Sequence, residues 1–156
     1  MLPLMTPGAP REREKPTALG TMPLSKAAPT TVIELQSIRE LTDETDSPDI
    51  ALQFLIEYLN MLPRRLQRIL HGLRGSDSEA SMDALRSLKI TSAMAGTHAI
   101  EAECRALEAL VRAGNFDAAN HEAATLSASV LDLFEGRDQV YEHARQDLLQ
   151  VEDTAS

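Results

Sequence analysis

Histidine, cysteine, serine and the carboxylates are the side chains from which phosphoryl transfer, nucleophilic hydrolysis and metal binding are built. Histidine and cysteine are few in this sequence, and the 24 acidic residues and the serines form no arrangement with them that points to a reaction. The four histidines are His71, His98, His121 and His143. An exposed imidazole can attack phosphorus because its neutral form, with a pKa of about 6.5, carries a free lone pair near neutral pH. No two of these histidines stand three or four residues apart, so none forms a helical zinc pair, and Cys104 belongs to no Cys–His cluster. Ser76 and Ser78 lack a partner arrangement for nucleophilic work. Glu101, Glu103 and Glu108 read as a solvated face rather than an acid–base pair, and each histidine reads as a surface residue. No metal and no cofactor is therefore expected. A cationic pair remains, Arg86 and Lys89, set among the apolar Met82, Ile90 and Ala93. Arginine cannot be a phosphoryl acceptor, because its guanidinium stays protonated up to a pKa above about 12 and has no lone pair to offer. It can only bind.

The elements that must position this face are helices. Apolar residues recur at steps of three and four from Val32 onward. A short helix is expected over 31–42, with Val32, Leu35, Ile38 and Leu41 on one stripe. Ser47 as cap and Pro48 in the first turn open a long helix over 48–73, whose stripe is Leu55, Leu59, Leu62, Leu66, Ile69 and Leu73. Pro63 inside it removes one backbone donor and should bend it. Ser76 with Glu79 reads as a capping box for a third helix over 77–95, with Leu85, Leu88, Ser92 and Ala95 turned inward. Arg86, Lys89, Ile90 and Ala93 then face out. Gly96 breaks that helix, and a fourth covers 98–113 with Ile100, Cys104, Leu107 and Val111 inward. The last helix starts near Phe116 and carries Phe116, Ala119, Ala123, Leu126, Val130, Leu133, Val140 and Ala144, with Gly136 a possible bend or break. Short loops between long amphipathic helices force antiparallel neighbours. The fold class is all-α, an antiparallel up-down-up-down four-helix bundle with an extra short N-terminal helix.

Composition agrees. Aromatic residues are 3% of the 156 and there is no Trp, so the core must be Leu, Ile, Val, Met and Ala. A net charge of −9 argues against nucleic acid, whose phosphates require clustered Lys and Arg. No apolar run is long enough for a membrane span, and no basic-then-apolar signal peptide opens the chain. A single cysteine gives no internal disulfide. A cytoplasmic monomer is expected, with residues 1–29 a disordered tail, 30–150 the bundle and 151–156 a disordered end.

The segment 84–108, ALRSLKITSAMAGTHAIEAECRALE, resembles the core of a histidine-containing phosphotransfer (HPt) domain, the helical relay module of two-component signalling. That family carries a pattern of the form AHxLKGxxxxxGxxxLxxxCxxLE. Leu88, Lys89, Gly96, Ile100, Cys104, Leu107 and Glu108 stand at the matching spacings, and Tyr58, Leu59, Pro63, Leu66 and Ile69 match on the preceding helix. Arg86 stands where the family has its phosphorylated histidine, and Ile90 where it has the next glycine.

The resemblance implies an HPt-like bundle whose scaffold is kept and whose reaction is lost. Its expected partner is the receiver domain of a response regulator or a histidine kinase, met through Arg86, Lys89, Ile90, Ala93 and Met82. Arg64, Arg65 and Arg68, level with Arg86 across the hairpin, would extend the basic patch. Two other readings stay open: phosphotransfer through one of the four remaining histidines, and a helical adaptor outside two-component signalling.

Overall fold

The computed structural model describes residues 33–155. Its helices are α1 (Leu35–Thr45), α2 (Pro48–Arg74), α3 (Ser78–Ala95), α4 (His98–Arg112), α5 (Phe116–Glu135) and α6 (Arg137–Ala155). The described residues contain no strand. Helices α2 to α5 close a four-membered ring in which each packs on the next and α5 returns to α2. The turns between them are only a few residues long, so neighbours run antiparallel. The core is the aliphatic one expected: Leu55, Leu59, Leu62, Ile69 and Leu73 of α2, Leu85 and Leu88 of α3, Ile100 and Leu107 of α4, and Leu126 and Leu133 of α5 are all fully buried.

The turn chemistry is local and legible. Ser47 accepts a hydrogen bond from the Ile50 amide at the head of α2, with Pro48 beside it, and α2 then runs through Pro63 without interruption. Asn115 does the same for α5 through the amide of Ala118. The head of α3 differs from the expected Ser76–Glu79 box. Ser76 has φ +50°, and Asp77 is the cap, accepting from the Ala80 amide. The tight turn after Gly75 rotates Ser76 away from the helix start.

Helix α1 begins later than expected. Ile33 and Glu34 lie outside the helix, Glu34 with an extended backbone, and the Glu34 amide donates to Gly96 O at 2.8 Å. Gly96 has φ +85°, and a Cβ there would come within 2.5 Å of Glu34 O. Only glycine allows both the left-handed turn between α3 and α4 and the close passage of the chain entering α1. Val32 and the expected tail over 1–29 lie outside the described residues.

The single long last helix expected from residue 116 is two helices. Gly136 ends α5 with its amide on Asp132 O and Phe134 O, while Arg137 lays its guanidinium 4.0 Å from the centre of the Phe134 ring and donates to Phe134 O. With the last carbonyls satisfied in this way, α6 leaves the ring and packs on α1, α2 and α5. There Arg39 grips Asp147 through two hydrogen bonds of 2.9 and 2.6 Å, and Ala144 and Leu148 are buried. The backbone of α6 stays helical past the expected end of the bundle at residue 150.

Two buried groups give the fold a pH signature. Tyr58 sits between Ser92 Oγ (2.8 Å) and Thr97 Oγ1 (2.6 Å), and Thr97 Oγ1 donates onward to Ser92 O, which ties α2 to the α3–α4 turn. Burial raises Tyr58 from 10.0 to about 12. Burial, helped by the charges of Glu108 and Glu103, raises Cys104 from 9.0 to about 12. Both groups are held protonated in the folded chain more firmly than in the unfolded one. The stability they contribute is complete below the unfolded values and is lost as pH rises from about 9.0 to about 12. The urea midpoint is therefore expected to hold up to about pH 9 and then fall steadily. A disulfide reagent should label Cys104 at pH 8 only on the unfolding timescale. Rapid labelling of the native chain, or a flat alkaline profile, would contradict this account.

Candidate functional site

Helix α3 lies on the bundle with Ser81, Ala84, Leu85, Leu88, Ser92 and Ala95 buried. That stripe turns Arg86, Ile90 and Met94, at successive four-residue steps, outward along a single line. Arg86 is exposed and has no hydrogen bond or ion pair among the described residues. Ile90 and Met94 are 52% and 42% exposed, large apolar side chains that the core does not use. Met82 and Ala93 flank the line half-buried, and Met82 leans on the core edge. The structure thus groups Arg86 and Ile90 as expected and adds Met94, whose i+4 spacing from Ile90 was available as a signal.

Lys89 is placed differently from the sequence expectation. It sits at the border between the buried and exposed faces, where α3 packs on α4. Its Nζ donates to Glu108 Oε1 at 2.8 Å, and the pair is 24% and 1% exposed. Arg112 approaches the same oxygen at 3.9 Å, while Glu108 Oε2 is buried without a partner. Lys89 is therefore a clasp between α3 and α4 rather than a free cation on the surface. Glu108 is likewise a buried anion and not part of a solvated face. Glu103 is half-buried too. Ser129 Oγ donates to it at 3.0 Å, and burial raises its carboxyl above the ordinary range. Glu101 is part-buried as well, and its hydrogen bonds to His98 and Arg105 lower its pKa.

The α2–α3 hairpin brings the α2 arginines level with this face. Arg65 Nη1 donates to Ser87 Oγ at 2.5 Å, Arg68 pairs with Asp83 at 3.2 Å, and Arg64 is exposed. Between the two helices runs a groove of about 390 Å³ lined by Phe54, Glu57, Tyr58, Asn60, Met61, Arg65 and Thr91. Sequence reasoning missed this groove, because it depends on residues of α2 and α3 meeting at one depth.

All four histidines are exposed and none is on α3: His71 ends α2, His98 begins α4, His121 is on α5 and His143 on α6. Among the described residues no cluster of His, Cys, Asp and Glu could hold a metal ion, and no helix is long and apolar enough to cross a membrane.

No protein-family model and no curated protein matches this chain. A solved structure does match, that of histidine-containing phosphotransfer protein B (HptB) from Pseudomonas aeruginosa PAO1, with a TM-score of 0.61 over 74% of this chain and 95% of that one. The fold is HPt-like. At 17% identity the likeness speaks for the backbone alone, and the chemistry has to be argued from the side chains on α3.

Proposed function

We propose that this chain is a non-catalytic HPt-like module of a two-component phosphorelay. It docks on a receiver domain or a histidine kinase and neither accepts nor passes on a phosphoryl group. The observation that carries this reading is Arg86: exposed, without a partner among the described residues, and at the midpoint of α3 where the resemblance places the phospho-accepting histidine. A guanidinium has no lone pair for phosphorus, but as a fixed cation it attracts an acidic pocket. Ile90 and Met94 supply the apolar part of the contact beside it. A cationic spot on a chain of net charge −9 would steer an acidic partner and speed its association. The module would then occupy a receiver or kinase without discharging it, blocking or scaffolding the relay.

Incubation with phosphorylated receiver domains is expected to give a complex and no phosphohistidine. Mass spectrometry under alkaline conditions checks all four histidines, and a phosphoryl group lost on changing one of them to Ala would defeat the non-catalytic reading. The double change Arg86→His with Ile90→Gly is expected to recover part of the transfer, since it restores an imidazole and clears the approach to it. Binding to no receiver or kinase, with binding to some other protein retained, would instead favour an adaptor outside two-component signalling.

A further inference from the structure

The apolar surface of α3 continues across the groove onto α2. Met61 and Phe54 of α2, both half-buried, form one wall of that groove, and Thr91 of α3 faces them. Met94 stands one turn beyond Thr91, with Ile90 beside it, so the two exposed side chains of the docking line form the opposite rim. The wall carries one charge near Phe54. Glu57 is exposed, and among the described residues its carboxylate meets only Gln53 Nε2, at 2.9 Å, and no cation.

The chain itself enters the bundle at this end of the groove. The Glu34 amide donates to Gly96 O at 2.8 Å, and the next residue, Thr97, holds the Tyr58 hydroxyl at 2.6 Å. Tyr58 lines the groove, and the Phe54 ring stacks on it at 6.4 Å between centroids. Residue 33 therefore stands at the Phe54–Tyr58 end. From Gly96 back to Arg86, α3 rises about 15 Å, which about five extended residues span. Residues 19–32 reach about three times as far.

What this segment carries is complementary to the groove. Leu19, Met22, Leu24 and Val32 are apolar, Lys26 is a cation, and no acidic residue occurs from 16 to 32. A segment tethered so closely faces the surface at an effective concentration on the order of millimolar, so a weak contact is enough to hold it there.

We propose that residues 19–32 lie along the α2–α3 groove, with Lys26 toward Glu57 and with Met22 and Leu24 against Met61, Met94 and Ile90. The segment covers the apolar half of the docking line and has to leave before a receiver or kinase can use it. That regulatory consequence rests on the docking reading given above, whereas the seat of the segment does not.

Methyl NMR of the full-length chain tests the seat without any receiver. Met22→Asp with Leu24→Asp is expected to shift the Ile90, Met94 and Met61 methyl signals and to leave in place that of Leu131, which is exposed on α5. Lys26→Glu should give a smaller shift of the same signals. All three positions lie outside α1 to α6, so these variants keep every residue of the bundle. Calorimetry reads the consequence: the double Asp variant should bind a receiver about three- to tenfold more tightly, because the unchanged chain is open for only part of the time. Coincident Ile90, Met94 and Met61 signals in the unchanged chain and the double variant would overturn the proposal. Signals of the unchanged chain that move with its concentration would overturn it too, by giving the seat to the same segment of a second copy. Shifted signals with unaltered receiver affinity would support the seat and remove the α3 line from docking instead.

Discussion

Lys89→Met is expected to destabilise the bundle by about 3–5 kcal/mol, the range for removing one partner of a buried ion pair. Glu108 is almost wholly inaccessible, and one of its oxygens already lacks a partner. Taking away Lys89 leaves its charge, among the described residues, with only Arg112, at 3.9 Å and 61% exposed, to offset it. A screened, solvent-facing guanidinium replaces little of a close buried partner. The pair itself is a different matter from its broken half. Glu108→Leu added to Lys89→Met removes both charges and fills the space with apolar atoms, so the double variant should regain most of the loss. Urea unfolding of both single variants and the double closes the cycle. If Lys89→Met alone unfolds at the same urea concentration as the unchanged chain, the clasp is not what holds α3 to α4.

The other large effect concerns docking. Arg86→Glu combined with Ile90→Asp is expected to lower receiver affinity by about a hundredfold or more, because truncating a charge pair at the centre of a contact costs about 2–5 kcal/mol. The first change sets like charge against the partner's carboxylates, and the second buries an unpaired charge in the apolar part. Both side chains are exposed and neither takes part in the core, so helical content by circular dichroism should hold. Raising the salt should weaken the unchanged complex mainly through slower association. Titration calorimetry of the variant against a receiver that binds the unchanged chain makes the measurement. Undiminished affinity would remove this line of α3 from the function. Lys89→Met serves as the contrasting case: it should cost stability first, since Lys89 faces Glu108.

The two variant sets separate what could be read along the chain from what could not. Helical periodicity placed Leu85, Leu88, Ser92 and Ala95 inward, and the same arithmetic put Arg86 and Ile90 outward, where the structure has them. Ser47 and Gly96 announced helix boundaries because capping is settled within a few residues. The four-helix bundle followed from those two local signals, and its HPt likeness from the resemblance over 84–108. Cys104 could be assigned to the core for the same reason.

Lys89, Glu108, Glu103 and Arg65 lie at the edges of their apolar stripes, and there periodicity is silent. An edge residue is free or clasped according to which residue of another helix reaches it, and the partners are far apart in the chain: Lys89 with Glu108, Glu103 with Ser129, Arg65 with Ser87. Even a glycine as visible as Gly136 left open whether the last helix bends or breaks. The answer lay in Arg137 capping Phe134 O and in the surface of α1 and α2 that was free to receive α6. Local hydrogen bonding and hydrophobic period belong to one segment and can be read from it. Partner choice at a helix border is a property of two segments, and it exists only once the bundle has brought them to the same depth.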